Sequence, residues 1–169
     1  MSLSSHTEGE GRSAGLEAFH NKLRAWLALH EAVCEHLVFE QSTRSVAEAA
    51  RAVGVTPQDF IKSICWLTVD ERMVVSIVKG EDRADRHAVR AAAGLGKLHI
   101  ASEQEVLRYT GYPAGGVPPF GFNALFLIDE RVMEMAYVYA GGGSPHALIY
   151  ASPVEIARLN NGRVARLHA

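Results

Sequence analysis

The sequence predicts an α+β domain built on a mixed sheet or partly closed barrel with surrounding helices. Three observations lead there. Strands and helices are intermingled without a regular βαβ rhythm. Several strand pairs are joined by turns too short for a crossover helix. Three separate segments carry the same helix-start signal, Ser followed three residues later by Glu.

The elements follow in chain order. Leu16, Phe19, Leu23, Trp26, Leu27 and His30 recur at three- and four-residue steps, so a helix with one apolar stripe is expected over 16–37. Leu37-Val38-Phe39 reads as a short strand. Ser45/Glu48, Ser102/Glu105 and Ser152/Glu155 are capping boxes that predict helices over 46–53, 103–110 and 153–159. The third gains Pro153 at its first position, where a missing N–H costs nothing. Gly54 and Gly111 stand where left-handed caps end such helices, and a further helix is expected over 86–93. Ile61–Val69 and Met73–Val78 flank Asp70-Glu71-Arg72 and read as a hairpin. Short strands are expected at 98–101, 124–128, 136–139 and 147–150.

The 169 residues suit one domain with one core, and 48% apolar against 21% charged residues is an ordinary globular balance. Residues 1–14 read as a flexible polar tail and 15–169 as the single domain. No apolar run approaches the roughly 18–20 residues of a membrane helix. Cys34 and Cys65 are too few for a disulfide framework and read as buried thiols of a reducing cytosol. Eight histidines are scattered without ligand spacing, so neither a metal nor another cofactor is expected. A net charge of −2 argues against a long grip on nucleic acid, so any such partner is held over a short stretch.

Four features bear on chemistry. Gly115-Gly116-Val117-Pro118-Pro119-Phe120-Gly121 couples close backbone approach with proline stiffness, which suits amides aimed at a carbonyl or phosphate oxygen. Taken alone it is equally a tight structural turn. Gly141-Gly142-Gly143-Ser144 has more glycine than a hairpin needs and would bring a ligand against bare backbone, or serve as a flexible loop. Lys62 interrupts an apolar strand: it either snorkels outward or enters a polar pocket. His146 opens a strand and on its own reads as a surface residue.

In order and spacing these features resemble the YbaK/prolyl-tRNA-synthetase-associated domain family. The match runs from Ala47-Glu-Ala-Ala-Arg-Ala-Val-Gly-Val55 through the Lys62 strand and Val78-Lys-Gly-Glu-Asp82. It continues with Thr110-Gly111, the Gly-Gly-Val-Pro-Pro-Phe-Gly loop, Leu-Ile-Asp129, the triple glycine and Ser-Pro-Val-Glu155, covering roughly residues 35–160. The resemblance implies a six-stranded barrel-like sheet and a free-standing, cytoplasmic deacylase that removes wrong amino acids, often alanine or cysteine, from proline tRNA. Its partners would be the aminoacyl-tRNA acceptor end and a prolyl-tRNA synthetase. Gly115 and Pro119 match the family's Gly-x-x-x-Pro motif, and Lys62 matches its strand lysine. His146 lies near a functional histidine of synthetase-inserted members. The implied catalytic set is Lys62, Gly115 and Gly116. The implied substrate contacts are Val117, Pro118, Pro119, Phe120, Gly121, Gly141, Gly142, Gly143, Ser144 and His146. Ser63 departs from the frequent threonine, and the first helix lies outside the shared core. Alternatives are an inactive module that holds tRNA ends or nucleotides, a dimer seam on Phe19, Trp26 and Leu27, and a small-ester hydrolase with His146 as base.

Overall fold

The computed structural model describes residues 5–169, with side chains from Gly15 onward. The expected tail over 1–14 falls on residues whose positions or side chains lie outside that set. Helix α1 spans Ser5–Leu29, followed by β1 (Glu35–Val38), α2 (Val46–Val53), β2 (Ile61–Thr68) and β3 (Met73–Lys79). Then come α3 (Arg86–Ala93), β4 (Leu98–Ile100), α4 (Glu103–Thr110), β5 (Leu125–Asp129), β6 (Val138–Gly141), β7 (Ala147–Ala151), α5 (Pro153–Asn160) and β8 (Arg163–Ala165).

The α+β class stands, but the described strands do not close into one barrel. They form a five-stranded mixed sheet, β4-β2-β3-β5-β8, and a three-stranded antiparallel sheet, β1-β7-β6. β2 and β3 form the expected hairpin, while β5 joins β3 in parallel. Among the described residues one parallel bridge, Phe60 to Tyr139, links the sheets. The main core lies between them and includes Leu23, Leu27, Ile61, Cys65, Phe120, Phe126, Ala140 and Ile149. A second cluster packs Val89 and Ala93 of α3 against Trp66, Val74 and Leu127. A third packs Ala49 and Ala50 of α2 against Phe60 and Leu148.

Helix α1 ends eight residues before the expected Leu37 because Glu31 adopts a left-handed conformation, φ 50°. Ala32 N–H then bonds Leu27 O and Glu31 N–H bonds Ala28 O, the paired contacts of a Schellman stop. Glycine usually takes that position, so the sequence gives no warning. The strand after it accordingly begins at Glu35. β6 lies two residues later than expected because a 3₁₀ turn occupies Val132–Glu134, and it carries Gly141 inside a ladder.

All three serine caps form, yet only Ser102/Glu105 is a complete capping box. Glu48 instead accepts from Ser42 at 2.6 Å. Glu155 accepts from Val33 N–H at 2.6 Å and from Arg158, fastening the segment after α1 to α5. Gly54 and Gly111 take the expected left-handed caps.

β8 was not expected; Arg163 and Val164 are exposed and leave no alternating signal. Asp129 anchors the residues that follow it. The fully buried carboxylate accepts from Leu167 N–H at 2.7 Å, and from His168 N–H and Nδ1 at 2.9 Å each; its other oxygen accepts from Arg131 N–H. Burial pushes the Asp129 carboxyl up, but these donors together hold it below the usual carboxylate range. Its stabilisation is therefore complete above the ordinary aspartate pKa and is lost as pH falls through the lower folded value. Asp129→Asn should lower stability by about 2–3 kcal/mol at neutral pH, with buried donors left poorly paired. Urea unfolding from pH 7 down to 3 should show the wild-type advantage shrinking only at the acid end. An unchanged midpoint at pH 7 would remove Asp129 as the anchor.

Candidate functional site

A cleft of about 190 Å³ opens where β2 runs out of neighbours. On one edge β4 pairs only with Trp66–Thr68, and the described bridge toward β6, Phe60 to Tyr139, falls just before β2 begins. Main-chain groups alternate in direction along a strand, and Cys65 O accepts from Ala101 N–H on this edge. Ser63 therefore turns its N–H and C=O toward the same edge, beyond the reach of β4. Ile61 and Cys65 point into the main core while Ile64 packs on the second cluster, so β2 has the expected two faces. Because the cleft straddles an unpaired edge, residues of both faces line it: Phe60, Ile61, Lys62, Ser63 and Cys65.

Lys62 lies in register with Val78 and is half-buried. Burial lowers its ammonium from the ordinary lysine range; Asp82 opposes that shift and Arg83 adds to it. Among the described residues no hydrogen bond or salt bridge engages its Nζ. The opposite walls come from Thr43–Val46 before and in α2, Ala114–Val117, and Ala140–Gly141. Several wall side chains are small, among them Ala49, Cys65, Ala101, Ala114 and Ala140. Burial pushes the Cys65 thiol up to about 12, so it stays protonated and is a poor nucleophile. No histidine or carboxylate lines the cleft among the described residues.

The cleft unites Lys62, Gly115, Gly116, Val117 and Gly141, but not the other residues singled out in the sequence. Phe120 is fully buried and stacks on Trp26, ring centroids 5.3 Å apart. Pro118 and Pro119 are buried, and Pro119 O accepts from Asn160. Gly121 borders a separate groove with Trp26, Phe122 and Phe126, which has no charged lining. His146 sits on the loop's outer side, Nδ1 3.0 Å from Gln41 O.

The two glycine loops pack backbone on backbone. Gly143 N–H donates to Gly116 O at 2.7 Å. A Cβ on Gly116 would stand 2.3 Å from Ser144 C, and one on Gly141 would stand 2.2 Å from Val117 O. On Gly142 it would meet Leu148 N at 2.4 Å. Gly116 and Gly141 are thus required by loop-to-loop contact, which in turn sets the cleft wall, and Gly142 by the close return of its own hairpin.

Helix α1 supports this contact from behind. His20, 2% exposed, places Nε2 2.7 Å from Ser144 Oγ, and that oxygen accepts from His146 N–H. Glu17 lies 3.7 Å from His20 Nδ1. The carboxylate–imidazole–hydroxyl order imitates a hydrolase triad, but Ser144 is fully buried and away from the cleft. Burial lowers the His20 imidazole from the ordinary histidine range, with Glu17 opposing. Nearby, His36 Nε2 lies 2.8 Å from Gly142 O.

Three participants escaped the sequence-based assignment: Ser63, His20 and Arg44. Arg44 lines the cleft and pairs with Glu103. Their roles arise from contacts between distant chain segments and leave no local pattern. A different trio, Asp82, Asp129 and His168, brings its ligand atoms within 4.8 Å of one another. The Asp129 oxygen nearest His168 already accepts three hydrogen bonds.

Gly141→Ala and Gly116→Ala should each destabilise by about 1–3 kcal/mol, because backbone atoms rather than flexible side-chain ends must move. Gly15→Ala is the control: no atom lies within 4 Å of its Cβ position on exposed helix, and it should be neutral or stabilising by up to about 1 kcal/mol. Equal thermal midpoints across the three variants would contradict the loop-to-loop constraint.

The profile of the aminoacyl-tRNA editing domain family matches residues 40–159. The chain is 27% identical over 128 residues to the uncharacterized protein YwhH of Bacillus subtilis, covering 75% of this chain and 81% of that one. It is 30% identical over 112 residues to the proline–tRNA ligase of Desulforamulus reducens, covering 65% of this chain but 20% of the ligase. A solved structure described as a candidate trans-editing enzyme for prolyl tRNA synthetase superposes with a TM-score of 0.80 at 30% identity, covering 89% of this chain and 97% of that chain. The profile match spans most of the sequence and every residue lining the cleft, from Thr43 to Leu148; the chain belongs to the aminoacyl-tRNA editing domain family.

Proposed function

We propose that this protein is a free-standing hydrolase that cleaves the ester of a mischarged aminoacyl-tRNA, with alanine or cysteine on proline tRNA as the first candidate substrates. The observation that carries this is the single cleft shared by Lys62, the Gly115–Val117 segment and Gly141. Family membership and the resemblance to proline–tRNA ligases support the editing role. The small wall residues support a small aminoacyl side chain. One methylene is worth only about 1–3 kcal/mol in such a pocket, so discrimination by size is imperfect.

Water attacks the ester carbonyl, the carbonyl oxygen takes the charge, and the tRNA 3′ oxygen leaves with a proton. Gly116 N–H already donates to Pro113 O, so the developing oxyanion is held by other amide N–H groups of the glycine segment, which its packing keeps in place. Lys62 contributes its positive charge to that oxygen or to a substrate phosphate. The absence of a cleft histidine or carboxylate among the described residues, and the high Cys65 value, favour water over a protein nucleophile. The protein acts in the cytoplasm beside the synthetase that makes the error.

Alanyl-, cysteinyl-, seryl- and prolyl-tRNA(Pro) should be compared for amino-acid release under single-turnover conditions. Mischarged alanyl or cysteinyl ester should be cleaved faster than the cognate prolyl ester. Lys62→Ala should lower the rate at least about 100-fold, the scale of losing one electrostatic contact to a developing charge. No release from any mischarged substrate would overturn the hydrolase, and full activity of Lys62→Ala would remove the lysine from the site.

A further inference from the structure

We propose that Arg44 binds the phosphate of the terminal nucleotide of the substrate RNA, exchanging its resting partner Glu103 for that phosphate. This rests on the editing function above and adds a second cation, from a different segment, to the glycine loops and Lys62.

Arg44 and Lys62 are the two cations lining the cleft. Arg44 comes from the loop before α2, and its guanidinium pairs with Glu103 at the first turn of α4. Loop and helix approach the cleft from different segments, so the ion pair spans between them. The two side chains are 52% and 72% exposed. An exposed pair of this kind contributes little, because water screens it and both side chains lose freedom. Glu103 also keeps a favourable position when Arg44 leaves, since a carboxylate in the first turn meets the positive end of its helix.

The Arg44 stem is seated by design of the backbone. Gly115 has φ +83°, and a Cβ there would stand 2.5 Å from Arg44 Cγ. The bare glycine therefore lets the arginine lie against the same loop that would hold the ester. A guanidinium presents paired donors that fit a phosphate edge, forming charge-assisted bonds that an exposed carboxylate pair does not surpass. With a net charge of −2, affinity for RNA must come from a few placed cations, and Arg44 stands at the cleft itself.

The two partners consequently have opposite effects. The probe is a short RNA hairpin ending in an unpaired CCA, titrated into the full chain by fluorescence anisotropy at several salt concentrations. Arg44→Ala should weaken binding about tenfold and reduce the salt slope by about one phosphate contact. Arg44→Lys should fall between Arg44→Ala and wild type. Glu103→Gln should tighten binding several-fold, and Arg44→Ala combined with it should behave like Arg44→Ala alone. A merely structural pair predicts the reverse for Glu103→Gln: weaker binding or none of the gain. Either that outcome, or unchanged affinity and slope in Arg44→Ala, overturns the exchange while leaving the editing function standing if wild type binds. A wild-type protein that does not bind the hairpin overturns both.

Discussion

The site depends on one close contact, the backbone-on-backbone packing of the loop at Gly115–Val117 against the strand end and loop at Gly141–Ser144. Two main chains can approach so closely only where no Cβ intervenes, and Gly116 and Gly141 meet that condition at the two points of tightest approach, while Gly142 meets it where its own hairpin returns at Leu148. The contact closes one side of a gap that β2 leaves open, and the gap becomes the cleft. Flexibility is therefore the wrong description of the triple glycine. Its residues are buried or half-buried, hydrogen-bonded and packed on a proline-stiffened neighbour.

The remaining elements hold that contact from behind. Helix α1 lies wholly outside the matched family region, yet it supplies Trp26 beneath Phe120 and His20 beneath Ser144. One helix thus touches both glycine segments on the side away from the cleft. The described apolar stripe, Leu23 and Leu27 with Phe19 and Trp26 beside them, packs on the chain's own core. At the other end, Asp129 gathers residues 167–168 under β5, and Glu155 ties α5 to the segment after α1. The Asp129 and Glu155 carboxylates accept hydrogen bonds across long sequence separations, which favours this one arrangement of the scaffold.

Much of the fold was legible in local chemistry. Serine caps, glycine stops and the short turn of the hairpin located α2, α3, α4, α5, β2 and β3 within a residue or two, because each signal acts within one turn of its own residue. Where the determinant was remote or unusual, the sequence was silent. Glu31 ends α1 in a conformation normally left to glycine, and Glu48 and Glu155 abandon their capping boxes for partners elsewhere. β8 is recruited through Asp129 rather than by an apolar pattern. At the site, an odd lysine and two glycine clusters stood out, but not which of them share a cavity. Phe120 looked like a ligand contact and is core. Arg44 and Glu103 are 59 residues apart, and His20 and Ser144 are 124 apart, so pairing them required the folded chain.

The central claim is that the gap beside β2 receives the aminoacyl end of the substrate. It is tested most directly by amide chemical-shift mapping with a non-hydrolysable analogue, adenosine carrying alanine through a 3′ amide. The expected shifts concentrate at Ser63, Gly115, Gly116, Val117 and Gly141, with the Lys62 side-chain signal moving in parallel. Shifts confined to the groove of Trp26, Phe122 and Phe126, or spread without a maximum at the cleft, would contradict the account.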